Sequence, residues 1–316
     1  MNQLNKNNLL NQVEIKINQG QFSDACSTLY DGLSHIRSHS SAEEWKQFVT
    51  QYREHAVSQF FLQDPLTRRA FEKPRGYAGD PVMIDFVYDH DKVATPCARP
   101  TEISEILNCE LNRIVQASHA VRERKHILSR KINQTAERVA NPYILSVACG
   151  HLREALDSVA IQNRKIGKFV AMDQDKEALS VVAELIKDFG ETIHATLIDL
   201  ICDTVPLPSF DFIYTAGLYD YLPESLAQKL TSNLFNLLNP GGRLLIANYL
   251  PDTPSIAYME AVMDWWLIYR DKERMQALIQ QIPQEKINDV DMFVEKNQVI
   301  IFMEIEKVGG ANAGSV

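Results

Sequence analysis

Gly150, Asp173 and Asp199 are the residues whose types and spacing carry the most chemistry in this sequence. Gly150 sits in the run Ser146-Val147-Ala148-Cys149-Gly150-His151-Leu152, at the end of a short apolar stretch. Glycine lets a backbone turn tightly and lets a ligand lie against it. Asp173 follows 23 residues later, close to the roughly 20 at which an acid bonds ribose hydroxyls on a nucleotide-binding sheet. Asp199, in Ile198-Asp199-Leu200, would end a further strand and offer a carboxylate to the amino group of a base. A dinucleotide calls for G-x-G-x-x-G, because a pyrophosphate must approach both the backbone and a helix N-terminus. The single glycine disfavours a dinucleotide and suits a nucleoside ligand without phosphate. Both acids are also of the type that caps a helix following a strand.

Around this trio, further ligand contacts are expected from Ala148 and Cys149 in the turn, Gln174 after Asp173 and Leu200 after Asp199. Thr215, Ala216 and Gly217 should form a floor at the end of the fourth apolar run. Cys149 reads as a small buried side chain, since nothing nearby marks a stabilised thiolate. Acceptor contacts are expected from Tyr219, Tyr221, Asn248, Tyr258, Trp265, Tyr269 and Arg270. The later aromatics have spacings that would bring several onto one helix face, with Arg270 as an anion anchor; a helix merely packed on a sheet would carry the same aromatics. Tyr77, His151 and Asp220 are the catalytic candidates, of use as a general base where the acceptor is a hydroxyl. Arg75-Gly76-Tyr77-Ala78-Gly79-Asp80 is too irregular for a helix interior. It reads as a lid whose Arg75 and Tyr77 reach a carboxylate, or as a plain connector between helices.

The elements that must position these residues are visible in the hydrophobic pattern. From 141 onward, short apolar runs alternate with helical patterns, the signal of β-α-β units around a parallel sheet. Strands are expected at 143–148, 168–172, 195–198, 210–215 and 243–248, with helices at 153–160, 176–189 and 224–238. A helical insert at 255–281 follows. The runs 292–295 and 299–306 should then form an antiparallel hairpin across Lys296-Asn297-Gln298. Five parallel strands closed by an antiparallel pair are the strand inventory of Rossmann-like class I methyltransferases, an α/β fold, so S-adenosyl-L-methionine is the cofactor expected at the turn. The first third reads as helices at 9–17, 22–36, 42–63 and 101–133. The expected organisation is a helical N-terminal and lid region at 1–135, a methyltransferase domain at 136–308 with a helical insert at 252–285, and a disordered tail at 309–316.

Composition narrows the function classes. Hydrophobic residues make up 45% and charged residues 23%, as in ordinary soluble globular proteins. A net charge of -9 without a basic stripe speaks against a grip on nucleic-acid phosphates. No apolar run is long enough for a membrane span, and the first residues lack the apolar core of a signal peptide, so a cytoplasmic enzyme is expected. The 5 cysteines are scattered without a C-x-x-C pair, which reads as reduced thiols and predicts no metal site.

The stretch 144–157 (ILSVACGHLREALD), together with Ala171-Met172-Asp173-Gln174-Asp175 and Ala216-Gly217-Leu218-Tyr219-Asp220-Tyr221-Leu222, resembles one bacterial methyltransferase family. It is the family that makes 3-hydroxypalmitic acid methyl ester, an extracellular signal. Lys73-Pro74-Arg75-Gly76-Tyr77-Ala78-Gly79-Asp80 and Asn239-Pro240-Gly241-Gly242-Arg243-Leu244-Leu245 extend the similarity, as does Tyr258-Met259-Glu260 through Asp264-Trp265-Trp266-Leu267-Ile268-Tyr269-Arg270. The resemblance covers most of 71–307 and leaves residues 1–70 unmatched. It implies O-methylation of a small-molecule acceptor, a fatty or hydroxy carboxylic acid, in bacterial secondary metabolism. Ser146 is usual for this family, whereas Ala148 stands where methyltransferases of this fold prefer glycine, and its methyl group would narrow the site. The residues themselves leave open an amine or hydroxyl acceptor, cyclisation of S-adenosylmethionine itself, and a degenerate fold serving as an interaction module. Retention of Gly150, Asp173 and Asp199 together argues against the last.

Overall fold

The structure, a computed structural model, describes residues 3–88, 101–202 and 204–310. Most of the expected tail and Cys97 lie outside the described residues. The chain forms two compact units, Met1–Arg122 with Asp252–Trp266, and Glu123–Pro251 with Leu267–Val316. Among the described residues no helix is long and apolar enough to cross a membrane.

The first unit is helical. Gly20, with φ +73°, turns the chain between α1 (Gln3–Asn18) and α2 (Phe22–Ser38), which buries Cys26, Leu29, Leu33 and Ile36 at helical spacing. α3 (Ala42–Glu54) starts on a capping box in which Ser41 and Glu44 each satisfy the other's backbone N–H. The single helix expected over 42–63 is broken at His55. Its extended backbone ends α3, and its ring nitrogen accepts from the Val57 N–H to start α4 (Ala56–Phe61). α5 (Pro65–Glu72) and α6 (Pro81–Val87) each begin with an aspartate cap followed by proline, a pairing that suits the unpaired first amides of a helix. α7 (Glu102–Ile114) and α8 (Gln116–Arg138) divide another expected helix at Val115, which is extended. From Glu123 onward α8 belongs to the second unit.

That second unit is a seven-stranded sheet. β1 (Tyr143–Val147), β2 (Lys168–Asp173), β3 (Gly190–His194), β4 (Phe210–Ala216) and β5 (Leu238–Tyr249) run parallel. The crossovers carry α9 (Val159–Gln162), α10 (Lys176–Ile186), α11 (Leu197–Ile201) and α12 (Glu224–Asn236). After β5 come α13 (Ser255–Ala261) and α14 (Lys272–Ala277), then the antiparallel pair β6 (Ile287–Val294) and β7 (Ile300–Lys307). The strand order is β3-β2-β1-β4-β5-β7-β6, the Rossmann-like α/β sheet expected, terminal hairpin included. β6 starts at Ile287 rather than at 292. Alternate strand residues such as Leu145, Val147, Val170, Met172, Leu244 and Ile246 join one buried core with Leu230 and Leu234 of α12.

The helical insert expected over 255–281 is two short helices separated by an irregular stretch. The first, α13, belongs to the helical unit. There Glu260, buried, accepts from Trp45 Nε1 at 2.7 Å and from Arg37 at 2.7 and 3.1 Å. Asp264, with φ +50°, accepts from Arg53 and Lys73, both at 2.6 Å.

Candidate active site

The carboxyl ends of β1 and β2 are tied together by one carboxylate. Where β1 ends, the chain passes through left-handed backbone at Ala148, Gly150 and Leu152, with φ of 54°, 54° and 52°. Two of these carry side chains, a conformation that costs an L-residue roughly 1–2 kcal/mol. The turn persists because its amides are engaged. Cys149 N–H donates to Met172 O at 3.1 Å, and Gly150 N–H donates to Asp173 Oδ2 at 2.8 Å. The other oxygen of Asp173 accepts from Asp175 N–H at 2.9 Å. Burial pushes the Asp173 carboxyl above the usual range, and the N–H groups of Asp175 and Gly150 pull it back. Each carboxylate oxygen keeps a second lone pair for an incoming hydroxyl. Asp175 caps α10, and Gln174 between them is exposed.

No α-helix starts in the turn, contrary to the expectation for 153–160. Arg153–Asp157 is a 3₁₀ turn, and α9 begins only after Ser158, whose hydroxyl caps it while donating to Asn133 at 2.8 Å. The turn therefore lacks the helix N-terminus that would concentrate positive potential on a phosphate. Cys149 is buried, and burial pushes its thiol well up, in keeping with a packed side chain rather than a nucleophile. His151 is buried directly after Gly150.

Asp199 does not stand at the end of a strand. β3 is Gly190–His194, and Asp199 lies inside α11, where it completes a capping box with Thr196. Its Oδ2 accepts from Thr196 N–H at 2.8 Å and from the Thr196 hydroxyl at 2.6 Å, and those bonds hold its carboxyl below the usual range. The apolar pair Leu197-Ile198, read as strand, is the first turn of the helix, and Ile198 is exposed. Thr196-Leu197-Ile198-Asp199 is itself a capping-box pattern, so Asp199 takes the helix-capping alternative, at N3 with Thr196 as the N-cap. Leu200 packs into the core. The residues at the carboxyl end of β3 are instead His194, Ala195 and Thr196.

At the end of β4, Thr215 is buried, and its hydroxyl has no hydrogen-bond partner among the described residues. Ala216 and Gly217 follow, half-buried, and Gly217 takes φ +102°, open to glycine and strained for other residues. A Cβ there would stand 3.4 Å from Nη1 of Arg124, a buried residue of α8. Behind the turn, Tyr214 donates to the buried Glu154 at 2.7 Å. Burial raises the Glu154 carboxyl, while Tyr214 and the charge of Arg124 lower it. Arg124, Glu154 and Tyr214 were not expected here. Arg124 is one charge among several on a long helix, and nothing local distinguishes it.

Asp220 lies in a 3₁₀ turn at Tyr219–Tyr221, with Oδ1 accepting from Tyr249 N–H at 2.7 Å and its carbonyl accepting from Ile268 N–H at 2.7 Å. Burial raises its carboxyl from 3.8 to about 6, against the lowering pull of the Tyr249 N–H, Arg124 and Arg270. Arg270 was expected to anchor an anion, but its side chain is wholly buried, with both Nη groups committed and Nε 3.5 Å from Glu224 Oε2. It donates to Tyr219 O at 2.7 Å, Asn248 Oδ1 at 2.8 Å and Leu222 O at 2.6 Å, clamping the ends of β4 and β5 together. Asn248 is spent in the same clamp, donating to Ile268 O at 2.9 Å, and the Tyr219 hydroxyl pairs with Thr231 at 2.9 Å in the interior. Tyr221 is exposed.

The aromatic residues of the insert do not share a helix face. Trp265 and Trp266 follow the end of α13, and Tyr269 and Arg270 lie in the irregular stretch before α14. Tyr258 is buried in α13 and paired with Thr67 at 3.0 Å, and it belongs with Trp265 to the helical unit. Arg75 and Tyr77, half-buried, lie in the irregular link between α5 and α6 of that unit.

No family model matches the sequence, and no curated protein does. Among solved structures, this chain is similar to one described as a possible exported protein from Bordetella parapertussis, at 17% identity and a TM-score of 0.61. The match covers 86% of this chain and 99% of that one, and it is a likeness of fold. The N-methyltransferase NodS from Bradyrhizobium japonicum matches at 14% identity and a TM-score of 0.42, over 59% of this chain and 96% of that one. Magnesium protoporphyrin IX methyltransferase from Synechocystis, solved with bound SAM, matches at 9% identity and 0.42, over 60% and 82%.

Proposed function

We propose that this chain is an S-adenosylmethionine-dependent methyltransferase that O-methylates a small carboxylic acid, of the fatty or hydroxy acid class, in the cytoplasm. The observation that carries the reading is the Asp173 carboxylate, tied to the Gly150 amide of a one-glycine turn at the switch point of the sheet. Its spare lone pairs suit the vicinal hydroxyls of a ribose, and the absence of a helix N-terminus suits a ligand without phosphate. The unpartnered Thr215 hydroxyl marks a further polar position at the end of β4. The residues present thus fit the cofactor: Asp173 for the ribose, the backbone at Ala148–Gly150 beside it, and Thr215–Gly217 under the methionine part. When bound, the cofactor supplies an electrophilic methyl group. The chain contributes positioning and exclusion of water, which govern an in-line displacement. An acid acceptor is already ionised near neutral pH and requires no base from the protein.

Asp220 favours a second reading, an amine or hydroxyl acceptor. A buried carboxyl raised to about 6 at the end of β4 is poised for proton abstraction. Calorimetric titration with S-adenosylhomocysteine, then mass spectrometry after incubation with S-adenosylmethionine and a panel of acids, phenols and amines, tests both. Methyl esters formed equally by Asp220→Asn support the carboxylic acid. Products from phenols or amines alone, lost in Asp220→Asn, select the second reading. Consumption of the cofactor without any acceptor would mark a cyclising enzyme, and no binding at millimolar cofactor would overturn the assignment.

A further inference from the structure

We infer that Arg124 is a ligand-binding residue of the sheet unit that takes the carboxylate of the cofactor's amino-acid half; the inference rests on the S-adenosylmethionine reading above. The strand order places the switch point between β1 and β4, with β2 and β3 on one side and β5 on the other. Asp173, at the end of β2, sets the ribose on the first side. A substituent on the far carbon of that ribose, laid across the Gly150 turn, arrives over the end of β4. In S-adenosylmethionine that substituent ends in a carboxylate and an ammonium, and a carboxylate taken out of water needs a cation or several donors.

Arg124 meets this need by position. It is 6% exposed, and its Nη1 reaches to within 3.4 Å of the place a Cβ on Gly217 would occupy. The glycine therefore leaves the backbone bare beside the guanidinium. The charge of Arg124 also lowers the carboxyls of Glu154 and Asp220. A guanidinium has five N–H donors in a planar fork, and a pair of them matches a carboxylate bidentately. The rival role is that of a purely structural counterion to Glu154 and Asp220.

The test compares two ligands on the full chain by titration calorimetry. S-adenosylhomocysteine carries the amino-acid half, and 5′-methylthioadenosine has the same nucleoside and thioether without it. Arg124→Met is expected to weaken S-adenosylhomocysteine about 10- to 100-fold, as for loss of a charge-assisted pair, and to leave methylthioadenosine unchanged. Arg124→Lys, which keeps the charge and loses the fork, should fall between. Thermal unfolding is followed on the same samples, and if Arg124→Met does not fold, the ligand ratio in Arg124→Lys decides. Equal weakening of both ligands, or of neither, overturns the inference and leaves the cofactor reading standing. A wild-type chain that binds neither ligand overturns the cofactor reading and the inference with it.

Discussion

Replacing Asp173 with asparagine separates two jobs that its carboxylate performs. Both oxygens accept backbone amides, from Gly150 at 2.8 Å and from Asp175 at 2.9 Å. Asparagine has one acceptor oxygen, so its NH₂ must face one of those N–H groups and leave it unpaired. An unsatisfied buried donor costs about 1–3 kcal/mol. Burial raises the Asp173 carboxyl, so removing its charge relieves a desolvation penalty and offsets part of that cost. A net loss of about 1 kcal/mol is expected, read as a melting temperature lowered by about 2–4 °C. Binding should suffer more. Hydrogen bonds from ribose hydroxyls to a charged acceptor are worth about 1.5–3 kcal/mol, so affinity for S-adenosylhomocysteine falls about 10- to 150-fold. Methylthioadenosine, which keeps the ribose, should weaken by the same factor, in contrast to the Arg124 variants. Calorimetry and thermal unfolding on the same preparation provide both readings. Lowered stability with unchanged affinity would show that Asp173 only braces the turn, and the nucleoside argument would fail.

Ala148→Gly removes a side chain from left-handed backbone at φ +54°. The relief of about 1–2 kcal/mol exceeds the roughly 0.5–1 kcal/mol that glycine adds through a freer unfolded chain, so denaturant titration should show a small gain in stability. A loss would mean that the Ala148 methyl group packs usefully. Asp220→Asn keeps an oxygen for the Tyr249 N–H and removes a carboxyl raised from 3.8 to about 6. A raised folded-state pKa stabilises below the unfolded value, and that stabilisation is lost as pH rises through about 6. Two units correspond to about 3 kcal/mol between the limits. Unfolding free energies measured across this window should therefore fall in the parent and be flatter in Asp220→Asn; identical profiles would contradict the burial argument. Arg270→Met leaves the Tyr219, Leu222 and Asn248 acceptors without their donor, and a loss of about 3–5 kcal/mol in urea unfolding is expected. Stability retained with ligand binding lost would restore Arg270 as an anion anchor.

The sheet was legible in the sequence because strands covered on both faces are buried almost continuously, and β1, β2, β4, β5 and β7 appear as short apolar runs between helical patterns. Gly150 and Asp173 were legible for a related reason: a crossover of ordinary length fixes the interval between two neighbouring strand ends. β3 was misplaced because it is a weak edge strand, with partly exposed residues throughout, while the apolar pair Leu197-Ile198 next to it belongs to a capped helix. The short capping box outweighed hydrophobicity.

What the chain alone determined, then, is the succession of strands and the one-glycine turn, both set by short-range spacing. Tertiary structure decided which polar side chains remain for a ligand. Arg270 and Asn248 have the chemistry of a binding site, yet they bind each other across 22 residues, and Arg270 also donates to Leu222 O, 48 residues away. Arg124 lies far from the turn in sequence, and α8 brings it to Gly217. Hydrogen-bond capacity is finite, and its allocation is a property of the folded chain, where distant groups meet.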